Sequence, residues 1–166
     1  MAEGGFFGMK IGKEYGGLGL SQTNYSRIVA YIGTYCQSMA TWLSAHQSIG
    51  VPQPLKMCGN EEQRKKWLPR LASGAISAFA LTEPGVGSDP AQMKTEAKPS
   101  DDGKYYLING EKLWTTNGPD AEILIVMART PPKIVKGKER PQITAFVVDL
   151  KDPETAKGFS VPYRCR

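Results

Sequence analysis

Apolar positions follow a helical period in the first 74 residues and a strand-like period in the rest of the chain. Between Tyr25 and His46 they recur every three or four residues, which is typical of a helix with one buried face. Ser21 precedes this stretch and is a favourable N-cap residue, and a break in the helix is expected near Gly33. The pattern therefore predicts one or two helices that pack against other helices.

Further helical signals lie between residues 52 and 74. A short helix is predicted from Pro52 to Met57, and Asn60 with Gln63 has the form of a capping box for the next helix. Pro69 and Gly74 are expected to end this helical part of the chain.

From residue 75 onwards, strand signals dominate. Asn109-Gly110 predicts a two-residue hairpin turn, and three prolines between Pro131 and Pro141 predict a loop. Because no helical pattern separates the strands, we expect an antiparallel sheet and an α+β fold class. The predicted strands are Ala75 to Leu81, Met93 to Ala97, Lys104 to Ile108, Glu111 to Thr116, Ile123 to Arg129, Ile143 to Leu150 and Gly158 to Val161.

Charge and composition restrict the function classes. The net charge is +5, with the densest basic clusters at residues 64–66 and 133–140. Such clusters suit nucleic acid, an anionic membrane surface or a phosphorylated ligand. Aromatic residues are not interleaved with the basic ones, so we expect no nucleic-acid partner. No apolar run approaches the roughly 20 residues that a membrane-spanning helix needs.

The cysteines and the single histidine give no sign of a metal site. Cys36, Cys58 and Cys165 are far apart and form no Cys-x-x-Cys pair, which favours a reducing compartment without disulfides. His46 lies on the apolar helix face, so we expect a buried, hydrogen-bonded histidine and not a catalytic one. No metal ligand set is predicted.

Two segments carry candidate chemistry. Phe79 to Asp89 runs from a strand into a glycine-containing loop, but no Gly-Lys-Ser/Thr follows and Pro90 stands where a dinucleotide fingerprint has its third glycine. The loop fits a ligand-binding turn and a plain connecting turn equally. In the second segment, Trp114 precedes Thr115 and Thr116, which suits stacking on a ring and hydrogen bonding to its edge. A core tryptophan beside a turn is the alternative.

Together these segments resemble the signatures of the acyl-CoA dehydrogenase family, most closely its long-chain and very-long-chain branch. The resemblance implies that residues 1–74 are part of an N-terminal helical domain and residues 75–166 part of a middle β domain. The family's C-terminal four-helix domain has no counterpart in this sequence, and we expect the chain to be a segment of a longer protein. Further resembling stretches are Lys13 to Gly19, Ala45 to Gly50, Lys104 to Tyr106, Lys112 to Trp114 and Ile143 to Val148.

The resemblance also implies a site and a reaction. Ser88 would contact the acyl-CoA substrate as well as the flavin. Glu83 would brace its loop and not act as a base. The family oxidises acyl-CoA to trans-2-enoyl-CoA and passes electrons to an electron-transfer flavoprotein, using a glutamate of the C-terminal domain. This chain alone would then contain no catalytic residue and be inactive. The residues implied to contact FAD are Phe79, Leu81, Thr82, Gly87, Ser88, Trp114, Thr115 and Thr116.

For the full-length protein, the resemblance implies a homo-oligomer. Peripheral membrane association is a further expectation. The compartment would be the cytoplasm in a bacterium or the mitochondrion in a eukaryote. Two alternatives remain open from the residues: a related acyl-CoA oxidase or flavin hydroxylase on the same scaffold, and a non-catalytic acyl-CoA-binding module.

Overall fold

Helices occupy the first half of the structure, a computed structural model that describes residues 1–164. Cys165, one of the three cysteines, lies outside the described residues. A π-helical segment, Ala45–Ile49, lies between the second and third helices. The helices are α1 (Gln22–Tyr35), α2 (Gln37–Ser44), α3 (Pro52–Cys58) and α4 (Glu61–Ser73).

The helix starts agree with the sequence, but one predicted helix end does not. Ser21 caps α1 and Asn60 forms a full capping box with Gln63, so both predicted caps are confirmed. The predicted break near Gly33 is found a few residues later, at Cys36, which is extended and separates α1 from α2. Pro69 lies inside α4, because buried neighbours hold the helix together until Gly74 ends it at φ 124°.

The second half of the structure is a five-stranded sheet around one long strand. The strands are β1 (Ser77–Ala80), β2 (Glu96–Pro99), β3 (Tyr106–Asn109), β4 (Ile123–Val135) and β5 (Lys138–Asp149). β1 and β2 both run parallel to β4, whereas β5 pairs with β4 and β3 with β2 in antiparallel fashion. The α+β class is confirmed, but the sheet is mixed and not wholly antiparallel. The long connections at 81–95 and 110–122 allow the chain to return before each parallel pairing.

Two predicted strands and one predicted turn are wrong. Residues 111–116 and 158–161 form no strand. Asn109-Gly110 does not join two paired strands. It follows β3, and β3 pairs with the preceding strand, β2, across the turn at 100–105. Gly110 has φ 156° and lies so close to Thr95 that a Cβ there would be 2.7 Å from the Thr95 Cα. Glycine at this position serves a close backbone approach.

The predicted loop from Pro131 to Pro141 is also wrong. β4 and β5 continue through it as a hairpin whose turn is Lys136-Gly137, both with positive φ. The register shifts between Thr130 and Lys133, where Pro131 and Pro132 lack the N–H groups that a regular ladder needs.

The helices and the sheet share one apolar core. Val51 of the α2–α3 connection and Leu71 of α4 pack in the same buried cluster as Ile123 and Ile125 of β4. At its edge, Arg70 forms a two-pronged ion pair with Asp149. Within residues 1–164, no helix is both long and apolar enough to cross a membrane.

Candidate functional site

The two chemistry-bearing segments meet at the end of β1. The backbone N–H of Leu113 donates to the carbonyl of Thr82 at 2.8 Å. Lys112 Nζ donates to the carbonyl of Leu81 at 3.1 Å. Segment 112–117 therefore runs beside the residues that follow β1, although residues 83 to 111 separate the two in sequence.

Trp114 is held in a conformation that exposes its indole. Its φ is 56° and its side chain is 71% exposed. Asn117, three residues on, has φ 66°. A left-handed conformation costs a residue other than glycine roughly 1–3 kcal/mol, and such strain collects at functional sites. Two residues with a left-handed backbone, of which Trp114 is the strained one, thus bracket Thr115 and Thr116.

Four hydroxyl groups lie on the two segments of this junction and on the loop that follows Thr82. Among residues 1–164, the side-chain oxygens of Thr82, Ser88, Thr115 and Thr116 make no hydrogen bond. Gly87 lies exposed in the loop before Ser88, and a Cβ there would meet no atom within 4 Å. An exposed indole beside free hydroxyls fits a flat ring with polar edge atoms, because the ring can stack and its edge can hydrogen-bond.

The eight predicted site residues are not all brought together by their side chains. Leu81 and Thr82 adjoin the Trp114 segment through the backbone bonds described above. Phe79 instead packs its ring against the core cluster of the helices and sheet, so it can offer the site only its backbone. Gly87 and Ser88 lie on the exposed loop beyond Glu83.

The carboxylate of Glu83 anchors this loop through hydrogen bonds. It accepts them from the backbone N–H groups of Lys94, at 2.6 Å, and Thr95, at 3.0 Å. Lys112 Nζ lies 2.7 Å from Glu83 Oε1. Burial alone raises the pKa of Glu83, but the bonds from Lys112 and the backbone outweigh it and lower that pKa to about 2. The predicted bracing role of Glu83 is confirmed.

A groove of about 530 Å³ opens between α1, α2 and the π-helical segment and reaches Thr116. Small residues line much of it, including Gly33, Ala40, Ser44, Ala45 and Ser48. Sequence reasoning missed this groove, although the recurrence of small residues along two adjacent helices was a usable signal. It also did not predict the contacts of Lys112 and Asn117, whose partners are distant in sequence.

Ionisable ligands for a metal do not cluster in the described part of the chain. No group of three histidine, cysteine, aspartate or glutamate side chains within residues 1–164 could hold a metal ion. The groups that residues 112–117 and the end of β1 offer to a ligand are the indole, the hydroxyls and the backbone.

Helices packed on a mixed sheet, with an exposed indole beside the end of a strand, make up the part of the chain that the structure describes. The model of the acyl-CoA dehydrogenase N-terminal domain matches residues 1–75, and that of the acyl-CoA dehydrogenase middle domain matches residues 78–165. The chain therefore belongs to the acyl-CoA dehydrogenase family.

Similar proteins come from bacteria and from mitochondria. The chain is 55% identical over 153 residues to the Mycobacterium tuberculosis protein described as probable acyl-CoA dehydrogenase FadE10, covering 92% of this chain and 23% of that protein. It is 45% identical over 151 residues to the human mitochondrial very long-chain specific acyl-CoA dehydrogenase, covering 90% and 23%. An acyl-CoA dehydrogenase from Bacillus anthracis, solved in complex with FAD, is similar with a TM-score of 0.79 and 39% identity, covering 90% and 24%. The chain thus spans about a quarter of the length of these relatives.

Proposed function

We propose that the full-length protein is an FAD-dependent acyl-CoA dehydrogenase that oxidises long-chain acyl-CoA to trans-2-enoyl-CoA in fatty acid β-oxidation. One observation carries the proposal: the exposed, strained Trp114 lies on a segment bonded to the end of β1, with free threonine hydroxyls on both sides of the junction. The Bacillus anthracis relative binds FAD, and its matched region covers 90% of this chain.

The chain would supply one wall of the flavin site, within parts of an N-terminal helical domain (1–74) and a middle β domain (75–166). Phe79, Leu81 and Thr82 would offer backbone groups, and Gly87 and Ser88 would offer the loop. The indole of Trp114 would lie against the ring, and Thr115 and Thr116 would bond to its edge. When bound, FAD supplies the hydride-accepting chemistry, whereas these residues orient the ring and exclude water. Ser88 would also contact the acyl-CoA.

The groove beside Thr116 suits an acyl chain. Its volume of about 530 Å³ lies within the range of small-molecule pockets, roughly 300–1,000 Å³. Small side chains along α1 and α2 leave room for methylene groups. We therefore propose that this groove takes the acyl chain of the substrate.

No residue of this chain is proposed to remove the substrate proton. A general base needs a pKa near the working pH. Glu83 has a pKa of about 2 and an ion-pair partner, so it is a poor proton acceptor. The family's glutamate would come from the C-terminal domain, and this chain alone would be inactive.

Replacing Trp114 with leucine in the full-length protein is expected to raise the dissociation constant of FAD about tenfold, because ring contacts contribute roughly 0.5–1.5 kcal/mol beyond their area. Flavin absorbance retained after gel filtration gives the bound fraction. Tyr105→Leu is the matched control, since Tyr105 is also an exposed aromatic residue at 57%. A full-length protein that holds no flavin would refute the proposal, and acyl-CoA binding without FAD would favour a non-catalytic module.

Electrons would pass to an electron-transfer flavoprotein. Comparing how quickly that protein and dissolved oxygen reoxidise the reduced flavin separates a dehydrogenase from the oxidase alternative. A homo-oligomer would cover exposed side chains such as Tyr31, Tyr35 and Met39, which sedimentation of the full-length protein would test. Cell fractionation would test the proposed cytoplasmic or mitochondrial location.

Peripheral membrane association is supported by the β4–β5 hairpin. Near its tip, Lys133 pairs directly across from Arg140, and like charges in that arrangement repel. Lys136 and Lys138 add two further cations against one anion, Glu139, and Ile134 is 80% exposed. An anionic lipid surface would relieve the repulsion and accept the isoleucine.

Replacing Lys133, Lys138 and Arg140 with glutamine is expected to weaken binding of the full-length protein to phosphatidylserine-containing vesicles by roughly a hundredfold, at about 1 kcal/mol per cation. Flotation with and without phosphatidylserine measures the effect. The matched control replaces three exposed lysines elsewhere with glutamine. If both triple variants weaken binding equally, the hairpin has no special role. The control lysines are Lys65, Lys98 and Lys104.

A further inference from the structure

One side-chain amide ties the Trp114–Thr116 segment to both halves of the structure. Asn117 Nδ2 donates to the carbonyl of Trp42 in α2 at 3.0 Å and to the carbonyl of Ser77 in β1 at 3.3 Å. The side chain is only 6% exposed. The position of segment 114–117 relative to the helices therefore depends on Asn117.

Asparagine meets two separate requirements at this position. The backbone is left-handed at φ 66°, and asparagine tolerates that region better than most residues. Trp42 lies in the last turn of α2, where its carbonyl accepts from the Ala45 N–H, and the Asn117 amide gives that carbonyl a second donor. Glycine would satisfy only the first requirement, and alanine would satisfy neither.

Residues on both sides of these bonds line the groove. Thr41, next to Trp42, and Ala45, one turn later, face the groove together with Thr116, next to Asn117. Ser77 is fixed in turn, because its N–H and hydroxyl both bond to His46. A shift of Asn117 would therefore move Thr116 relative to the groove wall.

We propose that Asn117 is a positioning residue, which keeps the proposed flavin-contact residues Trp114 and Thr116 in register with the acyl-chain groove. The inference rests on the proposed function and assigns a residue to that same site. Asn117 itself would touch neither FAD nor the acyl chain. It acts by fixing the backbone of the segment against α2 and β1.

Asn117→Gly in the full-length protein is the sharpest test, because it keeps the left-handed backbone and removes only the amide. We expect the dissociation constant of FAD to rise about tenfold and the visible flavin spectrum to shift. KM should rise more for long-chain than for short-chain acyl-CoA, since only the long chain fills the groove. Hydrogen exchange of the Gly118 and Asp120 amides, which bond to Thr115 and Asn117, should become faster.

Controls separate positioning from general stability. Asn109→Gly makes the same change at an exposed position of β3 and should leave flavin binding unaltered. Asn117→Asp keeps the shape but turns a carboxylate toward two carbonyls, so it should be worse than glycine. A lower melting temperature with unchanged FAD affinity, spectrum and KM ratio would overturn the inference. If the wild-type protein holds no flavin, the proposed function is overturned. In that case, unchanged hydrogen exchange of the Gly118 and Asp120 amides in Asn117→Gly would count against the positioning role.

Discussion

Replacing Lys112 with methionine is expected to lower the free energy of unfolding by about 3–5 kcal/mol at neutral pH, which is the cost of leaving a buried charge unpaired. The side chains of Lys112 and Glu83 are only 11% and 3% exposed, and their charged atoms lie 2.7 Å apart. Methionine keeps the aliphatic stem but removes the cation. Urea unfolding followed by circular dichroism measures the change.

Lys104→Met is the matched control for this substitution. Lys104 pairs with Asp102, but the two side chains are 80% and 47% exposed, so the loss should be no more than about 1 kcal/mol. Adding Glu83→Gln to Lys112→Met should recover part of the stability, because a neutral amide needs no cation. Equal losses for the two lysine variants would show that burial does not strengthen the Lys112–Glu83 pair.

The Lys112–Glu83 pair also makes the stability of the protein depend on pH in the acid range. The folded-state pKa of Glu83, about 2, is below its ordinary value of 4.5. The carboxylate therefore contributes its full stability above pH 4.5, and that contribution is lost as the pH falls towards 2. Because Lys112 also donates to the Leu81 carbonyl, weakening the pair disturbs the strand end that we propose faces the flavin.

Local signals in the sequence predicted local structure well. Ser21 and Asn60 cap helices because their side chains bond to N–H groups only three residues away. The same reasoning failed where partners are distant. Asn109-Gly110 has a hairpin composition, yet Gly110 is required by the close approach of Thr95, a contact that no window of neighbouring residues contains.

Strand direction was not predictable from residue patterns alone. An antiparallel sheet was expected because no helix separates the strands, but irregular connections carry the chain back far enough for β1 and β2 to lie parallel to β4. The candidate site shows the same difference between local signals and contacts that are distant in sequence. Trp114 and Thr116 stood out by residue type, whereas Lys112 and Asn117 gain their roles only from carbonyls that the fold brings to them.

His46 is the hub of a buried polar network between the helices and the sheet. Its Nε2 donates to the Phe7 carbonyl, at 3.2 Å, which leaves Nδ1 to accept from the N–H and hydroxyl of Ser77. Gln47 also donates to the Phe7 carbonyl. The ring is fully buried, so the predicted hydrogen-bonded core histidine is confirmed.

Acidification is expected to cost the protein about 2 kcal/mol of unfolding free energy between pH 7.5 and pH 5 through His46 alone. Burial disfavours the imidazolium and lowers the pKa of His46 from 6.5 to about 4, although the Phe7 carbonyl partly opposes the shift. Because the folded pKa is depressed, stability is complete above pH 6.5 and falls as the pH approaches 4. In an NMR titration, the histidine ring resonances that disappear in His46→Gln should move near pH 4, and titration near 6.5 would contradict the buried network. His46→Gln should lose this pH dependence, because glutamine does not titrate. The substitution still leaves an uncharged hydrogen-bonding side chain at position 46.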